Sequence, residues 1–532
     1  MTRFVGEAET TDVVIVGAGP VGLMLAGELR LGGAKVVVLE RLAKPMTESR
    51  ASTLHARTME QLVLRGLLSD TETPPNERMG HFGGVPLNLT LSSRYPGQWK
   101  VAQVTLEQLL QAWAVAAGAD IRRGHEVAAL QQSSAQVEVE AECAAGLCRL
   151  RAQYLVACDG EQSTVRGLVG GAFPRTAGAP TRQSQRVLYR ADIAGVDIPN
   201  RRFQQQEHGL AISARLPTGA TRVMVCEVTG AGGLTEREGV RYSDVARAWQ
   251  RVTGENIHGA TPLWINAFSD ASHQLEQYRK GRVLWAGDAA HQQMPVGGQA
   301  INLGLQDAVN LGWKLALCVR GRAPESLLDT YHKERHAVGA KVLGNIRAQA
   351  ALLLGGPGMA PLRDLVRELI EFEGVRAQLA GMISGLDIRY DLEGEAHPLL
   401  GARLPEVELE RWSVATDWRN TLRKGRGLLL SVADNAAVHA ALALAVAPWH
   451  DVVDMVVATP HASQMSEATI TGPTWAAGAA ALLVRPDGYI AWADVDPNHG
   501  LRGALQRWFG SPGQSVQTRL REQEQQESRV KA

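Results

Sequence analysis

The sequence predicts an α/β protein, and three glycine-containing segments that follow strand-like runs predict this fold class. Each segment comes after a short aliphatic or β-branched run, the pattern of a strand buried on both faces of a parallel sheet. The segments are Gly17–Gly22, Cys158–Gly160 and Gly287–His291. A helical pattern of apolar residues follows the first and third segments, as expected where strands alternate with helices.

The first segment has the form of a phosphate-binding turn. Thr11–Val16 leads directly into Gly17-x-Gly19-x-x-Gly22, and an apolar helical stretch follows. Only glycine allows the tight turn, the close approach of a pyrophosphate and close helix–sheet packing. The N-terminal N–H groups and dipole of the helix favour the phosphates. Glu40 ends the next strand and is placed to accept hydrogen bonds from a ribose. We therefore predict a dinucleotide site.

The second and third segments each contain an acid in a glycine turn. Asp159 follows a strand-like run, and that combination alone indicates only a turn. Asp288 follows a similar run, Arg282–Ala286. Residues 295–302 then lead into a stretch of good helix formers. We predict a loop that enters the N-terminus of a helix.

Taken together, the three segments resemble those of the class A flavoprotein monooxygenases, the single-component aromatic hydroxylases that include p-hydroxybenzoate hydroxylase and phenol hydroxylase. The resemblance covers nearly the whole chain, and it is greatest to actinobacterial enzymes that oxygenate angucycline and anthracycline polyketides. Further segments that carry it are Glu48–Ala51, His55–Glu60, Gly80–Gly84 and Tyr331–Arg335. It implies FAD as cofactor, NADPH or NADH as a transient reductant, and O2 with an aromatic polyketide as substrates.

The resemblance also implies roles for individual residues. Asp159 would support both FAD and the pyridine nucleotide, and Asp288 would hydrogen-bond the ribityl chain of FAD. Arg50 would contact the pyrophosphate, and Gln103 would contact the flavin. Without the resemblance, Arg50 reads as a solvated surface arginine and Gln103 as a loop amide.

The turn after Asp288 is expected to face the flavin ring. Reduced flavin is anionic near its pyrimidine edge, so a helix N-terminus aimed there would stabilise the negative charge. The residues expected there are Pro295, Gly297, Gly298, Ala300, Ile301 and Asn302. The resemblance implies a glycine, the usual residue of the family, where this chain has Ala300. A positive φ would strain alanine, whereas a negative φ would only add a methyl group. We hypothesise altered flavin mobility or an atypical oxygenation.

The resemblance implies an enzyme: an NAD(P)H-consuming, FAD-dependent monooxygenase that hydroxylates a polycyclic aromatic polyketide in antibiotic biosynthesis, through a flavin hydroperoxide. Because the cofactor carries the chemistry, we assign no catalytic side chain. We interpret His291 as a structural histidine bonded to the backbone rather than as a base.

Two other functions stay open at the level of the sequence. The same oxidant acting as a nucleophile would give Baeyer–Villiger, ring-cleaving or rearranging oxygenation, and no sequence feature separates this from hydroxylation. A flavin-binding protein without turnover is the second alternative. The presence of Glu40, Asp159 and Asp288 argues against it.

Composition excludes several classes of partner. Among the 532 residues, 55 are Lys or Arg and 55 are Asp or Glu, so no strong field attracts nucleic acid or an anionic membrane. The polar N-terminus lacks a signal region, and no apolar run approaches the roughly 20 residues of a membrane span. Five cysteines without a C-x-x-C pair or metal-ligand spacing suit a reducing cytoplasm. We predict a cytoplasmic monomer or homodimer without a metal.

Four regions are predicted along the chain. Residues 1–180 and 265–400 form a discontinuous Rossmann-like FAD-binding domain of the glutathione-reductase type. Residues 181–264 form a mixed β-sheet that binds substrate together with part of 80–100. Residues 401–515 resemble the thioredoxin-like domain of phenol hydroxylase relatives, and they contain no cysteine, which excludes thiol chemistry there. Residues 516–532 form a polar tail. Long helices are predicted over Leu327–Leu354 and Pro361–Ser384.

Overall fold

The structure is a computed structural model of the chain. It describes residues 8–47, 51–68, 73–176, 186–216, 218–227, 240–393, 397–410, 412–414, 417–460, 476, 478–496 and 499–512. Arg50 and the predicted tail lie outside the described residues. None of the described helices combines the length and hydropathy needed to cross a bilayer.

The first part of the chain builds most of a large sheet. The strands of this part are β1 (Glu9–Val16), β2 (Val36–Glu40), β3 (Thr53–His55), β4 (Asn76–Glu77), β5 (Met79–Phe82), β6 (Val85–Asn88), β7 (Gln98–Lys100), β8 (Asp120–Arg123), β9 (Glu126–Gln132), β10 (Val137–Cys143) and β11 (Gly146–Ala157). Of these, β1, β2 and β8 to β11 belong to the large sheet, whereas β3, β7 and β4 form a small separate sheet and β5 pairs only with β6. Its helices are α1 (Pro20–Leu31), α2 (Ala56–Leu64), α3 (Gln103–Ala116) and α4 (Thr164–Val169). Strand β1 pairs in parallel with β2 and β11, as its β-branched run Val13–Val16, which is buried, predicts.

A second sheet follows, formed by β12 (Val187–Ala194), β13 (Arg201–Gln206), β14 (Gly209–Arg215), β15 (Thr221–Glu227) and β16 (Thr261–Ser269), with α5 (Tyr242–Thr253) on one face. Its order is β13-β14-β15-β12-β16. The sequence predicts a mixed sheet here, and that prediction is wrong. All four described pairings are antiparallel. Short connections join β13 to β14 and β14 to β15, and short connections favour antiparallel neighbours.

The chain then returns to the first sheet. The elements are β17 (His273–Gln274), β18 (Arg279–Lys280), β19 (Val283–Trp285), β20 (His291–Gln292), α6 (Gln299–Val319), α7 (Asp329–Leu354), α8 (Ala360–Ile370) and α9 (Glu373–Ser384). Strand β19 pairs in parallel with β11, so the large sheet has the order β18-β19-β11-β1-β2-β8. Strand β10 also pairs with β11, and β9 pairs with β10. The prediction of one continuous helix over Pro361–Ser384 is wrong, because Phe372 has an extended backbone and separates α8 from α9.

A third sheet forms the C-terminal part. Its elements are α10 (Glu406–Leu409), β21 (Trp412–Val414), α11 (Trp418–Arg423), β22 (Gly427–Ser431), α12 (Ala436–Val446), β23 (Val453–Pro460), β24 (Ala481–Val484), β25 (Ile490–Asp494) and α13 (Leu501–Phe509). The order is β21-β23-β22-β24-β25. Strands β22 and β23 are parallel, whereas β24 is antiparallel to both β22 and β25.

The turn between β24 and β25 is buried against the first part of the chain. Arg485 lies 2.8 Å from Glu334 on α7 and 2.6 Å from Asp487. Lys314 on α6 lies 3.0 Å from Glu334. Burial alone would raise the pKa of Glu334, but Arg485 and Lys314 hold it at about 2. Because removal of one partner from such a network costs about 3–5 kcal/mol, these charges fix the C-terminal sheet against α6 and α7.

Candidate functional site

The glycine turn between β1 and α1 has a different requirement at each glycine. Gly17 has φ +103°, and a Cβ there would lie 2.5 Å from the Cys158 carbonyl oxygen. A Cβ on Gly22 would lie 2.0 Å from the Gly17 oxygen, whereas one on Gly19 would meet nothing within 4 Å. Gly19 therefore borders open space at the N-terminus of α1, where no side chain caps the helix. This cradle fits a pyrophosphate.

The Glu40 carboxylate is held beside this turn by two backbone groups. The Ala18 N–H donates to Oε2 at 2.8 Å, and the Leu42 N–H donates to Oε1 at 2.9 Å. Each carboxylate oxygen retains acceptor capacity beyond these bonds. The side chain is thus oriented at the end of β2 and fits the hydroxyls of a ribose.

Asp159 lies on the opposite side of the glycine turn, after β11. Its Oδ2 accepts a hydrogen bond from the Val165 N–H at 3.1 Å. Its Oδ1 is buried and has no partner among the described residues. Burial raises the pKa of this carboxyl group. A buried acceptor without a partner is costly, so Oδ1 fits a donor supplied by a bound ligand.

The Asp288 turn is supported by a buried ionic cluster that sequence reasoning missed. Asp288 itself is exposed in a short 3-10 turn after β19. Behind it, Asp307 Oδ2 accepts from the Gly287 N–H at 3.1 Å and lies 2.7 Å from His291 Nε2. Arg335 Nε donates to Asp307 Oδ1 at 2.7 Å.

This cluster corrects the expected partner of His291. The ring is bonded to a carboxylate rather than to the backbone, and it is fully buried. Burial opposes the charge on Asp307, but Arg335 and His291 together keep its pKa below the usual value. The His291 ring therefore packs on the buried side of the turn, whereas the Asp288 side chain is exposed on its other side.

The turn before α6 contains two glycines in the left-handed region. Gly297 has φ +66° and Gly298 has φ +67°. Ala300 is the second residue of α6, and Phe203 is the only described residue other than glycine with a positive φ. Alanine is therefore unstrained here and adds a methyl group, which answers the conformational question that the sequence leaves open.

Two side chains fasten this turn to the rest of the site. The Asn302 amide donates to the carbonyl oxygens of Gly298 at 2.7 Å and Thr53 at 3.1 Å. Its Oδ1 accepts from the His55 N–H at 2.8 Å, and His55 Nε2 lies 2.7 Å from the Gly297 oxygen. No side chain caps the N-terminus of α6. Its first N–H groups fit an anionic ligand edge.

Gln103 connects the segment after Arg50 to α3. Its Oε1 accepts from the Ala51 N–H at 3.1 Å, and its Nε2 donates to Glu107 at 2.8 Å. The Gln103 side chain thus makes local hydrogen bonds that position the segment beginning at Ala51. The predicted contact between Arg50 and a pyrophosphate falls outside the described residues.

The second sheet presents an apolar face toward the turn before α6. Leu188 packs in one cluster with Met294 and Val296, which directly precede that turn, and with Ile346 and Leu353 of α7. The remaining members of this cluster are Leu210, Cys226 and Leu354, and partly buried side chains packed against it include Phe203, Ile212, Met224 and Phe268. The sheet therefore forms an apolar wall beside the candidate flavin site.

Arg190 and Phe203 are the unusual residues of this wall. Strand alternation places Arg190 on the same face as Leu188, and burial lowers the pKa of its guanidinium to about 10. Phe203 has φ +49° at a register irregularity in β13. The centroid of its ring lies 4.3 Å from the centroid of the His81 ring. A positive φ at a residue other than glycine is strained, and it persists only where the surrounding structure fixes the backbone, which is often the case at binding sites.

Comparison with known proteins places this geometry in a family. Residues 10–345 match the model of an FAD binding domain, and residues 397–512 match that of an aromatic-ring hydroxylase C-terminal domain. The chain is 41% identical to 12-dehydrotetracycline 5-monooxygenase/anhydrotetracycline 6-monooxygenase of Streptomyces rimosus, over 94% of this chain and 99% of that enzyme.

Solved structures agree with the sequence comparison. The structure of CabE, an aromatic hydroxylase from angucycline biosynthesis, has a TM-score of 0.84 and 43% identity, over 94% of this chain and all of that one. The anhydrotetracycline hydroxylase OxyS from Streptomyces rimosus has a TM-score of 0.83 and 40% identity, over 95% of this chain and all of that one. The glycine cradle, the oriented Glu40 and the unpartnered Asp159 oxygen fit the cofactor of these proteins. The chain belongs to the class A FAD-dependent aromatic monooxygenases.

Proposed function

We propose that this enzyme hydroxylates a polycyclic aromatic polyketide in antibiotic biosynthesis, with NADPH or NADH as reductant and O2 as co-substrate. The observation that carries the proposal is the apolar wall of the second sheet, which packs directly against Met294 and Val296 before the α6 turn. A wall of this kind fits fused aromatic rings. The names of the relatives support the same substrate class.

FAD would be held along one edge of the large sheet. Gly17, Gly19 and Gly22 would bind its pyrophosphate, Glu40 its ribose and Asp288 its ribityl chain. Asp159 would brace the site and support the nicotinamide nucleotide. Bound FAD, once reduced, supplies the activated oxygen that is transferred to the substrate ring.

The α6 turn would bind the flavin edge. Gly297 and Gly298 would let the backbone approach the ring, and Pro295 and Ile301 would lie beside it. The uncapped N–H groups of α6 would stabilise negative charge on the reduced ring without any charged side chain. Hydrogen bonds from His55 and Asn302 would keep these N–H groups aimed at the ring.

Arg190 would orient the substrate. A buried guanidinium in an apolar wall attracts phenolate or carbonyl oxygens, which abound on polyketide-derived rings. The apolar residues around it would exclude water, which protects the activated oxygen from release into solvent. The strained Phe203 and its contact with His81 would close one edge of the same wall.

The domain organisation is part of the proposal. Residues 1–180 and 265–400 would form the FAD-binding domain, and 181–264 with part of 80–100 the substrate domain. Residues 401–515 would form a thioredoxin-like domain. Support comes from the order β23-β22-β24-β25, with one parallel and two antiparallel pairings. The buried turn of Arg485 and Asp487 supports a packing role for it.

We also propose a cytoplasmic monomer or homodimer. All five cysteines are free thiols, which suits a reducing compartment.

The test is product analysis with a panel of tetracyclic phenolic polyketides, NADPH and 18O2. We expect one 18O atom on an aromatic carbon, and an Arg190→Met variant that retains FAD with a KM raised at least about tenfold. A lactone or ring-opened product would instead establish the Baeyer–Villiger alternative. No product with any panel member, and no substrate-dependent NADPH consumption, would favour a flavin-binding protein without turnover.

A further inference from the structure

Three potential metal ligands lie together at an edge of the large sheet, outside the flavin site. Cys143 ends β10, Cys148 lies near the start of β11, and His125 lies between β8 and β9. One ligand atom of each residue lies within 4.8 Å of the other two. The two Sγ atoms are 2.8 Å apart. The hairpin of β10 and β11 creates this cluster, because the sequence spacing alone matches no metal motif.

The imidazole of His125 is held by a backbone carbonyl in a tautomer that can bind a metal. Its Nδ1 lies 2.9 Å from the Arg123 carbonyl oxygen. Since a carbonyl oxygen can only accept, Nδ1 carries the proton and Nε2 keeps its lone pair. Histidine ligands in metal sites commonly have their other ring nitrogen bonded in this way, which fixes the tautomer and the ring orientation.

Both cysteines would bind a metal as thiolates, because the thiolate is the form of cysteine that binds metals. A metal ion would therefore displace the protons of both thiols on binding.

We propose that His125, Cys143 and Cys148 bind one Zn²⁺ ion, with water as the fourth ligand. Zinc prefers a tetrahedral set of thiolate and imidazole ligands with Zn–S bonds of about 2.3 Å, which places two sulfur atoms about 3.8 Å apart. The sulfur atoms would therefore separate by about 1 Å. Both cysteine side chains are only half-buried at the end of the hairpin, so rotation about χ1 allows this.

The alternative occupant of this geometry is a disulfide, with sulfur atoms about 2.0 Å apart. A disulfide would not involve the oriented ring of His125, whereas a zinc ion uses all three groups. The site also adjoins the predicted ribose ligand, because the His125 N–H donates to the Glu40 carbonyl oxygen at 2.9 Å. Bound zinc would thus fix the backbone at the end of β2.

The experiment titrates Zn²⁺ into the full-length, FAD-loaded enzyme, free of affinity tag and kept in a phosphine reductant, in competition with a chromophoric chelator. We expect one Zn²⁺ per chain. Cys148→Ser and His125→Ala should each weaken binding at least about tenfold. Co²⁺ should give the visible d–d bands of a tetrahedral thiolate site, at longer wavelength than the flavin absorption.

The matched control is Cys318→Ser, whose thiol donates to the Pro324 carbonyl oxygen at 3.3 Å, far from the cluster in sequence. This variant should bind Zn²⁺ as the wild type does, and unchanged FAD content would show that each variant is folded. Equal Zn²⁺ affinity in the wild type and Cys148→Ser would overturn the proposal. A Cys143–Cys148 disulfide that persists in the reductant would overturn it as well.

Discussion

His55 Nε2 lies 2.7 Å from the carbonyl oxygen of Gly297, which ties strand β3 to the turn before α6. The backbone N–H of His55 also donates to Asn302. His55 thus contacts both Gly297, which precedes α6, and Asn302, which lies in its first turn. We propose that this end of α6 binds the flavin edge. Burial lowers the pKa of His55 to about 4, so its ring is neutral near pH 7 and Nε2 donates to Gly297.

Acid should destabilise the folded protein through His55, because burial opposes a positive charge on its ring. The ring has a pKa of about 4 in the folded protein and an ordinary value of 6.5, so the unfolded chain binds the proton first as the pH falls. The stability that the neutral ring contributes is therefore complete above pH 6.5 and is lost as the pH falls toward 4. A shift of this size corresponds to about 3 kcal/mol. Urea unfolding at pH 7.5 and pH 5 measures the effect.

The control for this prediction is His55→Gln, which keeps an amide donor and does not titrate. Between the two pH values, the wild type should lose about 2 kcal/mol more of its free energy of unfolding than the variant. Equal losses in the two proteins would show that protonation of His55 does not govern this part of the acid response.

Replacement of Glu40 by alanine should weaken FAD binding by about 1–3 kcal/mol, because the ribose hydroxyls lose their acceptor. The backbone groups of Ala18 and Leu42 also lose theirs. Flavin fluorescence titration of the apoprotein measures this change. Glu138→Ala, which removes a partly exposed partner of Arg151, is the matched control and should bind FAD normally. An unchanged FAD dissociation constant in Glu40→Ala would rule out Glu40 as the ribose ligand.

Asp288→Ala should be purified as largely colourless apoprotein with a melting temperature close to that of the wild-type apoprotein. The side chain is exposed, and the buried cluster of Asp307, His291 and Arg335 that supports its turn stays intact. The ratio of flavin absorbance to protein absorbance measures the loss. Asp364→Ala, an exposed acid on α8, should keep its flavin. Full retention of FAD by Asp288→Ala would contradict a ribityl contact.

Ala300→Gly should leave the ratio of product to NADPH unchanged and lower stability by up to about 1 kcal/mol, because glycine is a poorer helix former. Gly298→Ala should be far more damaging. Gly298 has φ +67°, and a Cβ would lie 3.1 Å from the Thr53 Cβ. Coupled turnover of both variants gives the comparison. A changed product ratio in Ala300→Gly would support the hypothesis of altered flavin mobility.

Local signals made part of this site predictable. The turn of Gly17, Gly19 and Gly22, its flanking elements and Glu40 all lie within about one βαβ unit, so periodicity and glycine spacing reveal them. The hairpin around Asp487 is similarly local. The split between α8 and α9 was missed, because its one local mark, Gly374, lies inside the first turn of α9 and not at the extended Phe372 itself.

The supporting residues could not be predicted because their partners are distant in the chain. His55 and Gly297 are 242 positions apart, and Arg335 is 28 positions from Asp307. The sequence around a single histidine or arginine does not indicate which distant residue it will contact. The cluster of His125, Cys143 and Cys148 was missed for the same reason, since only strand pairing brings its members together.

The most direct test of the central claim is anaerobic reduction of the FAD-loaded enzyme by NADPH, followed by stopped-flow absorbance with and without a tetracyclic phenolic polyketide. An aromatic monooxygenase should lose its flavin absorbance under NADPH, and on admission of O2 it should recover that absorbance with formation of hydroxylated product. A flavin that stays oxidised with NADPH and every candidate aromatic would contradict this account of the enzyme.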